Sequence, residues 1–177
     1  ASVRRRLPRT FEIEVRERVP ALLLVLEENY LVDQDGTVFK AAEPGDPADL
    51  PVITGVDGAR FRNDRGYRTE LLTSSVALLS EWQSASLASR EPIAEIHVEP
   101  DEGLTLFVGD DGTEVRLGRG PYRAKLARLR RVLDELGRRQ SRPLYVYLDN
   151  VRRPDRVTVR VRSCGAPRRQ GASCRSP

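Results

Sequence analysis

The sequence predicts an α+β domain, mainly antiparallel β-sheet with two amphipathic helices inserted. Three observations carry this. Several short runs alternate apolar and polar residues with period two, as half-buried strands do. Turn dipeptides separate them at hairpin spacing. Two longer stretches switch to helical spacing.

In chain order, Val3 to Leu7 is a weak strand cut off by Pro8, and Thr10 to Arg18, TFEIEVRER, is a one-face-buried strand with Phe11, Ile13 and Val15 on one side. Ala21 to Leu26 is a continuous apolar run, short enough for a buried strand. Tyr30 to Lys40 reads as two short strands around Asp35-Gly36. Ala41 to Arg68 is rich in Gly, Pro and Asp and is expected to be a long excursion that docks through the apolar island Leu50 to Gly55. In Thr69 to Trp82, residues Leu71, Leu72, Val76, Leu79 and Trp82 give an amphipathic helix, with Trp82 as a core residue at its end.

Ile93 to Glu99, Leu104 to Val108 and Glu114 to Leu117 predict a three-stranded meander. After Gly118 to Gly120, Pro121 suits a first helical turn. Tyr122, Leu126, Leu129, Leu133 and Leu136 form one apolar stripe, expected to end near Gly137. Leu144 to Arg162, LYVYLDNVRRPDRVTVRVR, closes the domain with two strands around a turn containing Pro154. Its second run, Val157 to Val161, is the last strand. A final strand with nothing beyond it presents unpaired N–H and C=O groups, an edge to be blunted or used to bind another chain. Ser163 to Pro177 lacks apolar content and is expected to be a disordered basic tail.

The chain has 177 residues, 39% hydrophobic and 32% charged, with 30 Lys+Arg against 26 Asp+Glu and a net charge of +4. That suffices for a real core. Almost every cation is Arg, Lys occurring only at Lys40 and Lys125. This is either a compositional habit offset by the acids or the footprint of an anionic partner; no aromatic RNA-binding signature or zinc spacing supports the second. Cys164 and Cys174 both lie in the tail, as two thiols or as the ends of a small disulfide loop. No run of about 18 apolar residues occurs, nor does a secretory signal pattern.

Little points to chemistry. The single histidine, His97, lies within a strand with no second His or core Cys to join it, and reads as structural. Asp33-Gln34-Asp35-Gly36 lacks the further ligands of a calcium loop and reads as a hairpin turn. Gly118-Arg119-Gly120 precedes a helix but lacks the Walker lysine and the dinucleotide spacing. Asp110-Asp111 reads as a solvated turn. No enzyme, cofactor or metal site is expected.

The order of motifs resembles the FtsQ/DivIB cell-division family. Val3 to Val25 is similar to the last two strands of that family's POTRA domain, including Glu17-Arg18-Val19-Pro20-Ala21. Tyr30-Leu31-Val32-Asp33 with Asp35-Gly36 and Phe39 resembles the opening hairpin of its β-domain, and Leu50-Pro51-Val52-Ile53-Thr54-Gly55 its leucine-proline-apolar-apolar-x-glycine signature. Val115 to Gly120 resembles the leucine-glycine segment before its last helix. Tyr147-Leu148-Asp149 and the valine strand take the place of its closing strands. The chain departs from the family's aspartate-leucine-arginine-aromatic step: Asp149 is followed by Asn150, Val151, Arg152 and Arg153.

The resemblance implies residues 1–26 as the end of a POTRA domain, 27–162 as the β-domain and 163–177 as tail. It implies a divisome scaffold in the periplasm, upstream of septal peptidoglycan synthesis. Attachment would be through a single inner-membrane helix preceding these residues. Shorn of the helices that cover POTRA strands, Val3, Phe11 and Val15 are expected at the surface. The implied partners are FtsB- and FtsL-like proteins, bound by strand addition at the C-terminal edge. The residues expected to contact them are Tyr147, Arg152, Arg153, Val157, Thr158, Val159, Arg160, Val161 and Arg162, the arginines meeting carboxylates. The alternative is a basic module for nucleic acid or an anionic envelope polymer.

Overall fold

The computed structural model describes residues 2–6, 9–15, 17–100 and 103–162. The tail with Cys164 and Cys174 lies outside these residues. The chain begins with a hairpin of β1 (Ser2–Arg6) and β2 (Thr10–Glu14), a two-stranded sheet of its own. Phe11, Ile13 and Val15 are more than 60% exposed, as expected for Phe11 and Val15; the side chain of Val3 lies outside the described set.

The remaining strands are β3 (Pro20–Val25), β4 (Asn29–Asp33), β5 (Val38–Ala41), β6 (Val52–Thr54), β7 (Ile93–Val98), β8 (Leu104–Val108), β9 (Thr113–Gly118), β10 (Pro143–Tyr147) and β11 (Thr158–Val161). They form one sheet in the order β11-β10-β9-β8-β7-β6-β3-β4-β5. The fold is α+β with a large, mostly antiparallel sheet. The β4–β5 hairpin and the β7–β8–β9 meander stand where the alternation places them. β3 pairs with β4 and β6, so Pro20–Val25 belongs to the large sheet.

Several expectations need correction. The Leu50 to Gly55 island does not merely dock from an excursion: β6 is a central strand, parallel to both β3 and β7, with Ile53 wholly buried. A third parallel join links β9 and β10. The excursion also holds a short helix, α1 (Gly58–Asn63), capped by Asp57. The capping carboxylate of Asp64 then accepts from Tyr67 N and starts α2 (Arg65–Ser84) several residues before Thr69.

The helix α2 buries Leu71, Leu72, Ser75, Leu78 and Trp82, rather than Val76 and Leu79, which are half-buried. Ser75 is tolerated there because its hydroxyl donates to Leu71 O at 2.8 Å. Trp82 is 1% exposed and donates through Nε1 to Glu91 O at 2.9 Å. The last helix, α3 (Arg123–Arg138), buries Leu126, Leu129 and Leu133 and runs past Gly137. Pro121 sits before it on a cis peptide bond. Both long helices share one core cluster with Leu22, Leu24, Ile53, Ile96, Leu106 and Val146 of the sheet.

Two motif glycines have steric reasons. Gly55 has φ +72°, and a Cβ there would lie 2.5 Å from Val98 O. Gly118 has φ +61°, and its Cβ would lie 3.1 Å from that of Asp149.

Candidate functional site

The sheet has two rims, β11 and β5. Which backbone groups of β11 face outward follows from its hydrogen bonds. Leu148 N–H donates to Arg116 O at 2.8 Å, toward β9. Backbone direction alternates along a strand, so Tyr145 and Tyr147 face the other way, toward β11. They stand opposite Arg160 and Thr158. Arg162 N–H donates inward to Arg142 O at 2.9 Å, with the same parity. Thr158, Arg160 and Arg162 therefore spend their backbone groups on β10, while Val159 and Val161 turn theirs outward; Val157 immediately precedes the strand.

Side chains sort by face. Val157 and Val159 pack against the core on the helix side, and Val161 remains 42% exposed beside the sheet's end. Thr158 and Arg160 are exposed on the helix-free face. There Tyr147 stacks on Tyr145 with centroids 4.4 Å apart, and the Arg116 guanidinium lies 4.5 Å from the Tyr147 ring centre. Arg116 Nε also donates to Glu114 at 2.8 Å. Burial first, then Glu114, hold the Tyr147 phenol above the ordinary tyrosine range.

The predicted arginines do not converge on one spot. Arg152 and Arg153 lie in the exposed β10–β11 loop, whose turn is tied by Asn150 Oδ1 accepting from Arg153 N at 2.9 Å. Arg160 faces the tyrosines across β10. Arg162, at the far end, is half-buried and donates through Nη2 to Asp111 O at 2.6 Å. Asp111 also pairs with Arg142 at 2.8 Å. The β8–β9 turn, read from sequence as solvated, thus anchors the end of the rim strand.

The opposite rim is built differently. Lys40 of β5 reaches both carboxylate oxygens of Asp46 at 3.0 Å, and Asp46 also accepts from Glu43 N at 2.8 Å. The turn after β5 is folded back onto that edge. A lysine and a covering turn are common ways of blunting an edge.

Beside the β10–β11 loop lies a hollow of about 820 Å³ walled by Glu99, Arg116, Arg119, Lys125, Asp149 and Val151. Lys125 Nζ donates to Leu117 O at 2.6 Å and to Arg119 O at 2.5 Å. Burial pushes its ammonium below the ordinary lysine range. This lysine ties α3 to the Gly118–Gly120 segment, a role its position in the sequence did not signal.

His97 is half-exposed on the helix-free face, its Nδ1 2.8 Å from Thr54 Oγ1, with Glu95 beside both. Glu95 and Thr54 gather at the same ring nitrogen, so they do not form a relay through the imidazole. Among the described residues, no group of three His, Cys, Asp or Glu side chains could hold a metal ion, and no helix is long and apolar enough to cross a membrane.

The sequence model of one family, described as "Cell division protein FtsQ/DivIB, C-terminal", matches residues 23–150. Three relatives bear the name "Cell division protein FtsQ". That of Anaeromyxobacter sp. (strain K) is 48% identical over 161 residues, covering 91% of this chain and 54% of the relative. That of Myxococcus fulvus is 40% identical over 173 residues, 98% of this chain and 60% of the relative. That of Geotalea daltonii is 35% identical over 147 residues, 83% of this chain and 54% of the relative. The chain spans between about half and three fifths of the length of these relatives.

Proposed function

The chain belongs to the FtsQ/DivIB cell-division family, and from that premise we propose that it is an extracytoplasmic scaffold segment of the divisome whose β11 rim receives a strand from an FtsB-like partner. It performs no catalytic turnover. It links FtsB- and FtsL-like proteins to septal peptidoglycan synthesis, and the helix that holds it to the inner membrane belongs to the longer protein.

The observation that supports this is the contrast between the two rims. β5 carries a lysine clamped by a folded-back turn. β11 turns the backbone groups of Val159 and Val161 outward, and Arg162 holds its end in place. Main-chain hydrogen bonds to those valines supply the attraction. Selection falls to the neighbouring side chains, Arg160 and Thr158 on one face and Val161 on the other. Arg152 and Arg153 extend the basic character into the adjoining loop, where a carboxylate-bearing segment would meet them.

The test is titration of this chain with the FtsB- and FtsL-like pair encoded by the same genome, followed by hydrogen exchange of the complex. Protection should appear at the amides of Val159 and Val161. A complex that forms while leaving those amides exchanging as fast as in the free chain would sink the proposal.

A further inference from the structure

On the helical side of the domain, α2 and α3 enclose a groove of about 640 Å³. Its α3 wall carries Arg123, Arg130 and Arg131, with Asp134 at one end already paired with Arg90. Its α2 wall carries Glu81 and Ser84. Ala85, Ala127 and Leu126 complete its lining. We propose that this groove is a second docking site, taking an acidic helix of a partner protein whose opposite edge presents a lysine or another hydrogen-bond donor to Glu81.

The charges show why. Most cations around the groove are already engaged. Arg90 is paired with Asp134 at 2.6 Å, Arg138 and Arg139 with Glu135, and Arg128 with the carbonyl of Ala124. Arg123, Arg130 and Arg131 have no such partner among the described residues and stand exposed along the groove. Across from them, Oε2 of Glu81 is buried with no hydrogen-bond partner. That oxygen is enclosed, so a docked partner meets the half-buried carboxylate at Oε1, where an incoming cation or donor offsets its charge.

The two walls select among anionic occupants. A nucleic-acid strand or an anionic lipid surface would satisfy the arginines but set its phosphates against Glu81. A helix can be two-sided. Arg123 and Arg130 are seven residues apart on α3, two turns or about 10.5 Å. Carboxylates seven residues apart on a helix lying along α3 match that spacing, while its other edge meets Glu81. Two alanines in the lining allow a second helix to approach closely, and helix-in-groove docking is a common recognition mode.

The probe is a labelled alanine-based helical peptide with glutamates seven residues apart on one stripe and lysines on the opposite stripe. Binding is measured by fluorescence anisotropy at low salt. Arg123→Glu with Arg130→Glu should weaken binding by about tenfold or more. The substituted positions are exposed, so thermal melting should be unchanged; Arg130→Gln serves as a milder variant. Glu81→Gln should weaken this peptide yet strengthen binding of a 20-nucleotide single strand. Val159→Pro should leave peptide binding intact, which separates this groove from the β11 proposal. No binding of the peptide overturns the inference. So does equal binding of the peptide, the oligonucleotide and phosphatidylglycerol vesicles.

Discussion

Arg18, in the segment between β2 and β3, donates through Nη1 to Oδ2 of Asp33, the last residue of β4. Asp33 is 4% exposed, and its other oxygen accepts from Asp35 N at 3.0 Å and Thr37 N at 2.8 Å. One carboxylate thus closes the β4–β5 turn and secures the chain entering the large sheet. Burial, the largest single influence, raises its pKa, but the Thr37 amide, Arg18 and the Asp35 amide together hold it below the ordinary aspartate value.

The pH consequence follows from that sign. A carboxylate depressed in the folded state stabilises fully above its unfolded pKa of about 3.9. The contribution is lost as pH falls through the folded value. Asp33→Asn should therefore cost about 1–3 kcal/mol at neutral pH and show a flatter acid limb. Urea melts at pH 7 and pH 3 check both. Arg18→Ala should cost less, because Arg18 is half-exposed and solvent screens its charge.

Gly55→Ala tests the turn after the central strand. The backbone there is left-handed, and the methyl group would meet both Val98 O and the His97 ring, at 2.5 and 2.7 Å. Left-handed strain alone costs about 1–2 kcal/mol, and the backbone contact adds to it. Calorimetry should show a drop larger than for Gly112→Ala, where the left-handed strain is similar but nothing lies within 4 Å.

Those two sites show where sequence is legible. The hairpin around Asp35-Gly36 and the meander around Asp111-Gly112 declare themselves, because antiparallel neighbours joined by tight turns leave one face polar. β6 does not. It has three residues, is flanked by Pro51 and Gly55, and takes parallel neighbours on both sides, so it shows no alternation and no hairpin turn. The valine strand is legible as a strand, but its outward parity is not. That parity is set by register against β10, including a bulge between Pro143 and Tyr145. Arg162 reads like Arg160 in sequence, yet only the structure brings the Asp111 carbonyl to it.

Lys125→Met should leave the carbonyls of Leu117 and Arg119 without their shared donor, at a cost of about 1–3 kcal/mol. The lysine also leaves a pH signature. Its folded pKa lies below the unfolded value of about 10.4 because burial disfavours the ammonium. The unfolded chain then binds more protons between the two values, so this group's contribution rises with pH across that window. The difference in stability between parent and Lys125→Met should grow as pH climbs toward 10. A constant difference would mean that the ammonium is not penalised in the fold.

The rim itself is tested by two prolines one residue apart. Val159 N–H faces away from β10, so Val159→Pro removes no bond of the sheet and should melt within about 1 kcal/mol of the parent, since proline is tolerated on an edge strand when its nitrogen faces solvent. Arg160→Pro deletes a ladder bond to Tyr145 and should cost about 2–3 kcal/mol or detach β11. The partner measurement inverts the order of interest: Val159→Pro should abolish capture of the FtsB-like strand while the domain stays folded. Equal stability losses from both prolines would show that the assigned parity is wrong. Retained partner binding in folded Val159→Pro would show that the outward valine amides are not what the partner holds.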